Sequence, residues 1–121
     1  MPRDARAYLS DIMDSCDAIT VAVRGLDLAA YEGNRLVRSS VEREFIIIGE
    51  AAGALARIAP EIFDAITRAR RIVDFRNQLT HEYPAVDDAF VWAIAERDVP
   101  VLRRECATLI QRVTPPADDA G

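Results

Sequence analysis

Apolar residues recur at helical spacing along almost the whole of this 121-residue chain. From Ala5 to about Val23 they follow the i, i+3, i+4, i+7 rule of an amphipathic helix, with aspartates on the opposite side. The same periodicity returns in three later segments, and no stretch has the features of a convincing strand. The pattern therefore predicts an all-α fold, an antiparallel bundle of four or five helices.

Turn and cap signals divide the chain into these helices. Gly25 ends the first helix, and residues 25–33 are expected to form a packed connection. The second helix begins at Asn34 or, by capping-box spacing, at Ser39. Pro60 suits the first turn of a third segment, which continues or restarts before ending near Tyr83.

The last helix is expected to begin after a cap at Asp87 or Asp88 and to run to Val113. Pro100 lies inside it and should kink or split it. Residues 114–121 are rich in proline and aspartate and are expected to be a disordered tail. The sequence thus predicts one helical domain over residues 1–113, followed by this tail.

Two glycines interrupt the nearly all-apolar middle of the second helix, which is expected to be the central helix of the bundle. Gly49 and Gly53 are four residues apart and share a face. A close approach by a neighbouring helix is the favoured explanation, and two merely tolerated glycines are the alternative. Glu50 lies between them and needs a partner if it is buried.

The net charge of −5 argues against a domain that binds nucleic acid by bulk electrostatics. Cys16 and Cys106 lie in no CxxC or Cys/His cluster, so the sequence predicts neither a metal site nor a cofactor. No apolar run is long enough to cross a membrane, and the N-terminus has no signal-peptide core. These features predict a cytoplasmic protein with two buried, reduced cysteines.

The only histidine of the chain, His81, closes a polar group formed with Arg76, Asn77 and Tyr83. Arginine offers a bidentate fork for a phosphate, and histidine can transfer a proton near neutral pH. On a straight helix Arg76 and His81 lie about 140° apart, so they converge only through helix distortion, long arginine reach or a second chain. A histidine that caps carbonyl groups beside a solvated arginine is the structural alternative.

The pattern Arg76-Asn77-x-x-x-His81-x-Tyr83 resembles the Arg-x4-His-x-Tyr motif of HepT-like toxins, which belong to the HEPN superfamily of helical ribonucleases. The likeness extends to Ile-Gly-Glu-Ala-Ala at 48–52 and to the Val-Trp-x-Ile and Asp-Val-Pro-x-Leu stretches within 91–102. Similarity covers roughly residues 3–113. Pro84 departs from the family pattern and leaves the cleft rim undefined, but no motif residue is missing.

The resemblance implies a homodimer in which two motif helices surround a shared cleft, with Arg76, Asn77 and His81 as the catalytic residues of a metal-independent RNase. It also implies a toxin–antitoxin pair, in which an MntA-like nucleotidyltransferase silences the toxin by AMPylation of Tyr83. Added charge and bulk beside the arginine would repel an RNA phosphate. The alternative is a non-catalytic HEPN-fold partner of such a nucleotidyltransferase.

Overall fold

Six helices make up the part of the chain that the computed structural model describes, residues 3–81 and 86–113. In chain order they are α1 (Ala5–Val23), α2 (Leu28–Glu32), α3 (Arg35–Ile58), α4 (Pro60–Asp64), α5 (Ala69–His81) and α6 (Asp88–Val113). These described residues contain no strand. The prediction of an all-α bundle is confirmed, with four long helices and two short ones of five residues each.

Side-chain caps decide where the long helices begin. The Asn34 side chain accepts a hydrogen bond from the backbone N–H of Val37 at 3.1 Å, so α3 begins there and Ser39 lies inside the helix. At α6 the Asp87 carboxylate accepts from the backbone N–H of Ala89 at 3.0 Å. Of the alternative start signals, Asn34 and Asp87 are therefore the caps that the structure uses.

The connection over residues 25–33 is not purely a loop, because it contains α2. Asp27 caps this short helix by accepting from the N–H of Ala30 at 2.8 Å. Gly25 has a φ of +76°, a left-handed conformation that glycine adopts without steric cost. Tyr31 is fully buried and anchors α2 on the bundle. Five residues are too few to produce a periodic signal, which is why the sequence prediction missed this helix.

The third predicted segment restarts rather than continues. It forms α4 and α5, separated by a turn in which Arg68 has a φ of +56°. Pro100 does not split the last helix, since α6 is helical on both sides of it. The predicted helix end at Tyr83 and the predicted tail at 114–121 lie outside the described residues.

The long helices pack in the order α6–α1–α3–α5, so α3 shares the centre of the bundle with α1. Within the described residues, α5 packs extensively against α3 alone, and the side of the bundle between α5 and α6 stays open. No described helix is both long and apolar enough to span a membrane. Side chains with at most 1% of their surface exposed form the centre of the core: Leu9, Ile12, Cys16, Ile19, Tyr31, Val41, Ile48, Ala52, Leu55, Val91, Val99 and Cys106.

Both cysteines are free thiols inside this core, as the sequence predicts. Burial raises the pKa of Cys16 and of Cys106 to about 12, because the apolar surroundings disfavour the thiolate. A thiol with so high a pKa is a poor nucleophile. The two cysteines therefore act as small hydrophobic residues where α1 meets α6.

Candidate active site

The helix that carries the motif, α5, is fixed to the bundle at its beginning by a contact with α6. Thr67, just before α5, donates its hydroxyl to Glu105 Oε2 at 2.5 Å, and its backbone N–H donates to Glu105 Oε1 at 3.0 Å. The Glu105 carboxylate thus accepts both hydrogen bonds from Thr67, the residue before Arg68 with its left-handed conformation. The start of α5 is tethered, although its body packs on α3.

Arg76 lies where α5 comes closest to α3, directly over Gly49. A Cβ atom added at Gly49 would stand 2.1 Å from Arg76 Cβ and 2.6 Å from its Cγ. It would also lie 3.4 Å from the carbonyl oxygen of Ile72. No larger residue fits without moving the helix, so Gly49 is required for this close approach.

Gly53, one turn further along α3, meets no such constraint. A Cβ atom there would have Arg57 Nη1 as its nearest contact, at an ordinary 3.9 Å. The predicted close approach is therefore confirmed for Gly49 and wrong for Gly53. Glu50 is exposed, so the need for a buried partner does not arise.

The side chain of Arg76 is half-buried and faces a polar cleft of about 360 Å³ between α1, α3 and α5. Its Nε atom is buried and has no hydrogen-bond partner within residues 3–81 and 86–113. Such an unsatisfied donor is costly unless a ligand or water completes it. The cleft is lined by Arg3, Tyr8, Asp11, Glu50, Ala51, Gly53, Ala54, Arg57 and Arg76.

Asn77 and His81 are exposed on α5, and neither lines the cleft that contains Arg76. Between them, the Thr80 hydroxyl donates back to the carbonyl oxygens of Arg76 at 3.1 Å and Asn77 at 3.2 Å. Within one chain Arg76 lines the cleft and His81 does not, which agrees with the divergence that their helical spacing predicts. Tyr83 lies outside the described residues.

A second, larger groove of about 610 Å³ runs along the open side of the bundle between α5 and α6. Its floor is aromatic: Phe75 contacts Phe45 edge to face at 5.2 Å between ring centroids and Phe90 at 5.8 Å. Phe90 is 53% exposed, which is unusual for so large an apolar side chain. Arg71 and Asp74 of α5, with Arg68 just before that helix, line one wall, and Asp98 and Glu105 of α6 line the other.

The sequence did not reveal Arg3, Tyr8 and Arg57 as neighbours of Arg76. Arg3 precedes α1, Tyr8 lies on α1 and Arg57 on α3, and only the packing of the helices places them around one cleft. The single hint is the i, i+4 spacing of Gly49, Gly53 and Arg57, which puts them on one face of α3. In residues 3–81 and 86–113, no three His, Cys, Asp or Glu side chains are grouped so that they could hold a metal ion.

Fold and site together define a small all-α bundle that presents an arginine in a polar cleft and an exposed histidine on the same helix. The family model described as "Ribonuclease HepT-like" matches residues 12–109. Because the match extends over most of the chain, the chain belongs to the HepT-like family of HEPN ribonucleases.

Individual relatives support this assignment. "Putative RNase MJ1380" of Methanocaldococcus jannaschii is 31% identical over 103 residues, which cover 85% of this chain and 94% of that protein. "Putative RNase MJ1216" of the same organism is 26% identical over 92% of this chain and 91% of its own length. "Putative RNase TTE0752" of Caldanaerobacter subterraneus subsp. tengcongensis is 24% identical over 88% and 95%. Comparison with solved structures gives no significant match.

Proposed function

We propose that this chain is the toxin of a toxin–antitoxin pair and acts as a metal-independent endoribonuclease on cellular RNA. The observation that carries the proposal is Arg76, a residue of the ribonuclease motif whose half-buried side chain lines a polar cleft. An RNA phosphate is an anion of suitable charge for this guanidinium. Relatives that are named RNases match over nearly their full length, which supports the same activity.

The proposed reaction divides the chemistry between the two motif residues. Arg76 binds the scissile phosphate and stabilises the charge that develops on it during attack. His81 exchanges the proton, either accepting it from the attacking 2′-hydroxyl or donating it to the leaving 5′-oxygen. The O2′–P bond forms and the P–O5′ bond breaks, which leaves a cyclic phosphate and a free 5′-hydroxyl. Asn77, one residue after Arg76, orients the phosphate or the imidazole.

A homodimer is part of this proposal, because Arg76 and His81 of one chain diverge around α5. The groove between α5 and α6 has features suited to a second copy. Phe90 offers exposed apolar surface, and the groove carries both arginine and carboxylate side chains that two copies would pair across their contact. A two-fold axis makes such a surface self-complementary. The second subunit would then supply a second His81 to the same RNA.

The proposed regulation is AMPylation of Tyr83 by an MntA-like nucleotidyltransferase antitoxin. Tyr83 is two residues beyond His81 in the sequence, at the position that the family motif reserves for tyrosine. A nucleotide attached there would add negative charge beside the catalytic residues and repel RNA phosphates.

Substitution of the two motif residues tests the nuclease. We expect His81→Ala and Arg76→Ala each to lower the rate of RNA cleavage at least about a hundredfold, since positioned acid–base and charge-stabilising groups contribute on that order. Arg70→Ala is the matched control, because Arg70 is exposed on the same helix and lines neither the cleft nor the groove. Cleavage that survives in the His81→Ala protein would show that the catalytic assignment is wrong.

The second candidate is a non-catalytic HEPN partner of the nucleotidyltransferase, favoured by the divergence of Arg76 and His81 within the chain. Co-expression with the product of the neighbouring reading frame, followed by intact-mass measurement, distinguishes the two. AMP-sized mass increments that vanish in Tyr83→Phe, together with relief of toxicity, support the toxin. A complex that forms in a strain where the free chain is harmless supports the binding partner.

A further inference from the structure

The cleft around Arg76 contains a second unpaired arginine, Arg57. The two side chains come from different helices, α5 and α3, and both line the same 360 Å³ space. Neither forms an ion pair with any residue in the described part of the chain. An anion in this cleft would be attracted by both guanidinium groups.

The backbone of α3 brings the two guanidinium groups towards each other. Gly49, Gly53 and Arg57 follow one another at four-residue intervals on one face of α3, and Gly49 contacts the stem of Arg76. Arg57 Nη1 lies 3.9 Å from the Cβ position of Gly53, so the Arg57 side chain extends back along the helix by one turn. Its guanidinium is thus displaced from its own Cα towards Arg76.

The remaining charges of the cleft leave it positive. Arg3 is already committed, because it donates to Asp11 at 2.6 Å and stacks over the ring of Tyr8 at 4.8 Å. Glu50 is the one other carboxylate among the lining residues. Arg57 and Arg76 therefore oppose a single free carboxylate in a chain whose overall charge is −5. Between them the floor consists of small residues, Ala51, Gly53 and Ala54, which permit close approach by a ligand.

We propose that Arg57 binds a phosphate of the RNA backbone that flanks the phosphate held by Arg76. The cleft along α3 would then be a track for single-stranded RNA, and the inference rests on the proposed ribonuclease function. A polynucleotide suits two arginines that line one cleft, because its backbone offers phosphates in series. Phosphate contacts of this kind fix the register of the strand and do not depend on its sequence.

The test measures RNA affinity apart from cleavage. Binding of a fluorescein-labelled, mixed-sequence single-stranded RNA is followed by fluorescence anisotropy in a His81→Ala background, at several salt concentrations. We expect Arg57→Ala to weaken binding severalfold and to reduce the slope of log K against log salt by about 0.7, the value for one phosphate contact on a single strand. Arg57→Lys should restore most of the slope.

Arg104→Ala is the matched control, because Arg104 is exposed on α6 and lines neither cleft. It makes the same change in net charge and should leave both affinity and slope unaltered. Glu50→Gln should have the opposite effect on affinity, because removal of the carboxylate that opposes Arg57 and Arg76 should tighten RNA binding. A merely structural role for Arg57 predicts no change in slope in Arg57→Ala.

The outcomes separate this inference from the function on which it rests. If His81 is needed for cleavage but Arg57→Ala keeps the affinity and slope of the parent, the inference is overturned and the nuclease stands. If the wild-type chain cleaves no RNA and the slope still falls in Arg57→Ala, the chain is an RNA-binding protein and the catalytic proposal fails. Equal losses of RNA affinity and slope in Arg57→Ala and Arg104→Ala would show that the effect comes from the overall charge of the chain, and would overturn the inference.

Discussion

The group formed by α1, α3 and α6 and the single helix α5 are held in the molecule in different ways. The three-helix group buries a continuous set of apolar side chains, many of them completely, such as Leu9, Ile12 and Val91. Helix α5 buries only Ala69, Val73 and Leu79 and packs extensively on α3 alone within the described chain. Its other faces border a polar cleft on one side and an open apolar groove on the other.

This difference separates stability from chemistry. The three-helix group supplies most of the apolar burial that drives folding. The motif helix, by contrast, keeps polar side chains accessible and depends on a few specific contacts for its position. The contact at Gly49 is the most restrictive of these, since the Cβ and Cγ atoms of Arg76 occupy the space that a Cβ atom at Gly49 would need.

The largest expected effect is the removal of a core side chain from the three-helix group. Ile12 is fully buried on α1, and Ile12→Ala should lower the free energy of unfolding by about 2–5 kcal/mol because it leaves a cavity. Denaturant unfolding measures the change. Val21→Ala on the same helix is the control, since Val21 is 62% exposed and should tolerate truncation. Similar losses at both positions would contradict the division between core and surface.

The second effect distinguishes the two glycines of α3. Gly49→Ala should destabilise the protein by roughly 2 kcal/mol, because overpacking against Arg76 outweighs the better helix propensity of alanine. Gly53→Ala should instead stabilise it by up to about 1 kcal/mol, since its Cβ meets only ordinary contacts. Thermal unfolding of both variants gives the comparison. Equal behaviour of the two would refute the close approach.

The open groove beside α5 gives the third prediction. Phe90→Glu should weaken self-association at least about tenfold, because it places a charge in an apolar contact. A tenfold change in the dissociation constant corresponds to about 1.4 kcal/mol. Sedimentation at several protein concentrations measures the change. Leu36→Glu is the control, because Leu36 is 83% exposed on α3 and does not line the groove. A dimer that persists in Phe90→Glu would exclude this groove as its interface.

The smallest effect concerns Glu42, a carboxylate on α3 that lies near Asp88 at the beginning of α6. Desolvation raises the pKa of Glu42, with repulsion by Asp88 as a second cause that Arg38 partly opposes. A raised folded-state pKa favours the protonated form, so this carboxyl contributes stability at low pH that is lost as pH rises through its folded pKa. Glu42→Gln should therefore raise the melting temperature at neutral pH.

The gain in Glu42→Gln should shrink as the pH is lowered and the wild-type carboxyl takes up its proton. Glu96→Gln on α6 is the control, since Glu96 is exposed. A gain that is independent of pH would contradict the desolvation of Glu42.

Much of the fold was predictable because apolar periodicity is a local property. The first helix was predicted from Ala5 to Val23 and has those bounds, and the caps Asn34 and Asp87 were among the predicted alternatives. Short helices were not predictable in this way. Helix α2 exists because Asp27 caps it and Tyr31 is buried against the bundle, and both causes depend on few residues.

The site was predictable in its residue types but not in its surroundings. The wheel arrangement of α5 indicated that Arg76 and His81 diverge, and the structure places only Arg76 in the cleft. Nothing in the sequence around Arg76 pointed to Arg57 or Tyr8, which are 19 and 68 residues away along the chain by their numbering. Such neighbours arise from the packing of α1, α3 and α5, a non-local property.

By itself the sequence determined the helices, their apolar faces and the Arg-x4-His-x-Tyr motif that identifies the family, because each depends on the order of nearby residues. Only the tertiary structure decided that Gly49 leaves the space that the Arg76 side chain occupies and that Gly53 has no such role. It also decided that Arg57 lines the same cleft as Arg76. The physical reason is that the 2.1 Å between a Cβ added at Gly49 and Arg76 Cβ is set by the distance between α3 and α5, whereas a Cβ added at Gly53 meets only Arg57 Nη1 of its own helix, at 3.9 Å. Equal spacing along one chain cannot distinguish those two cases.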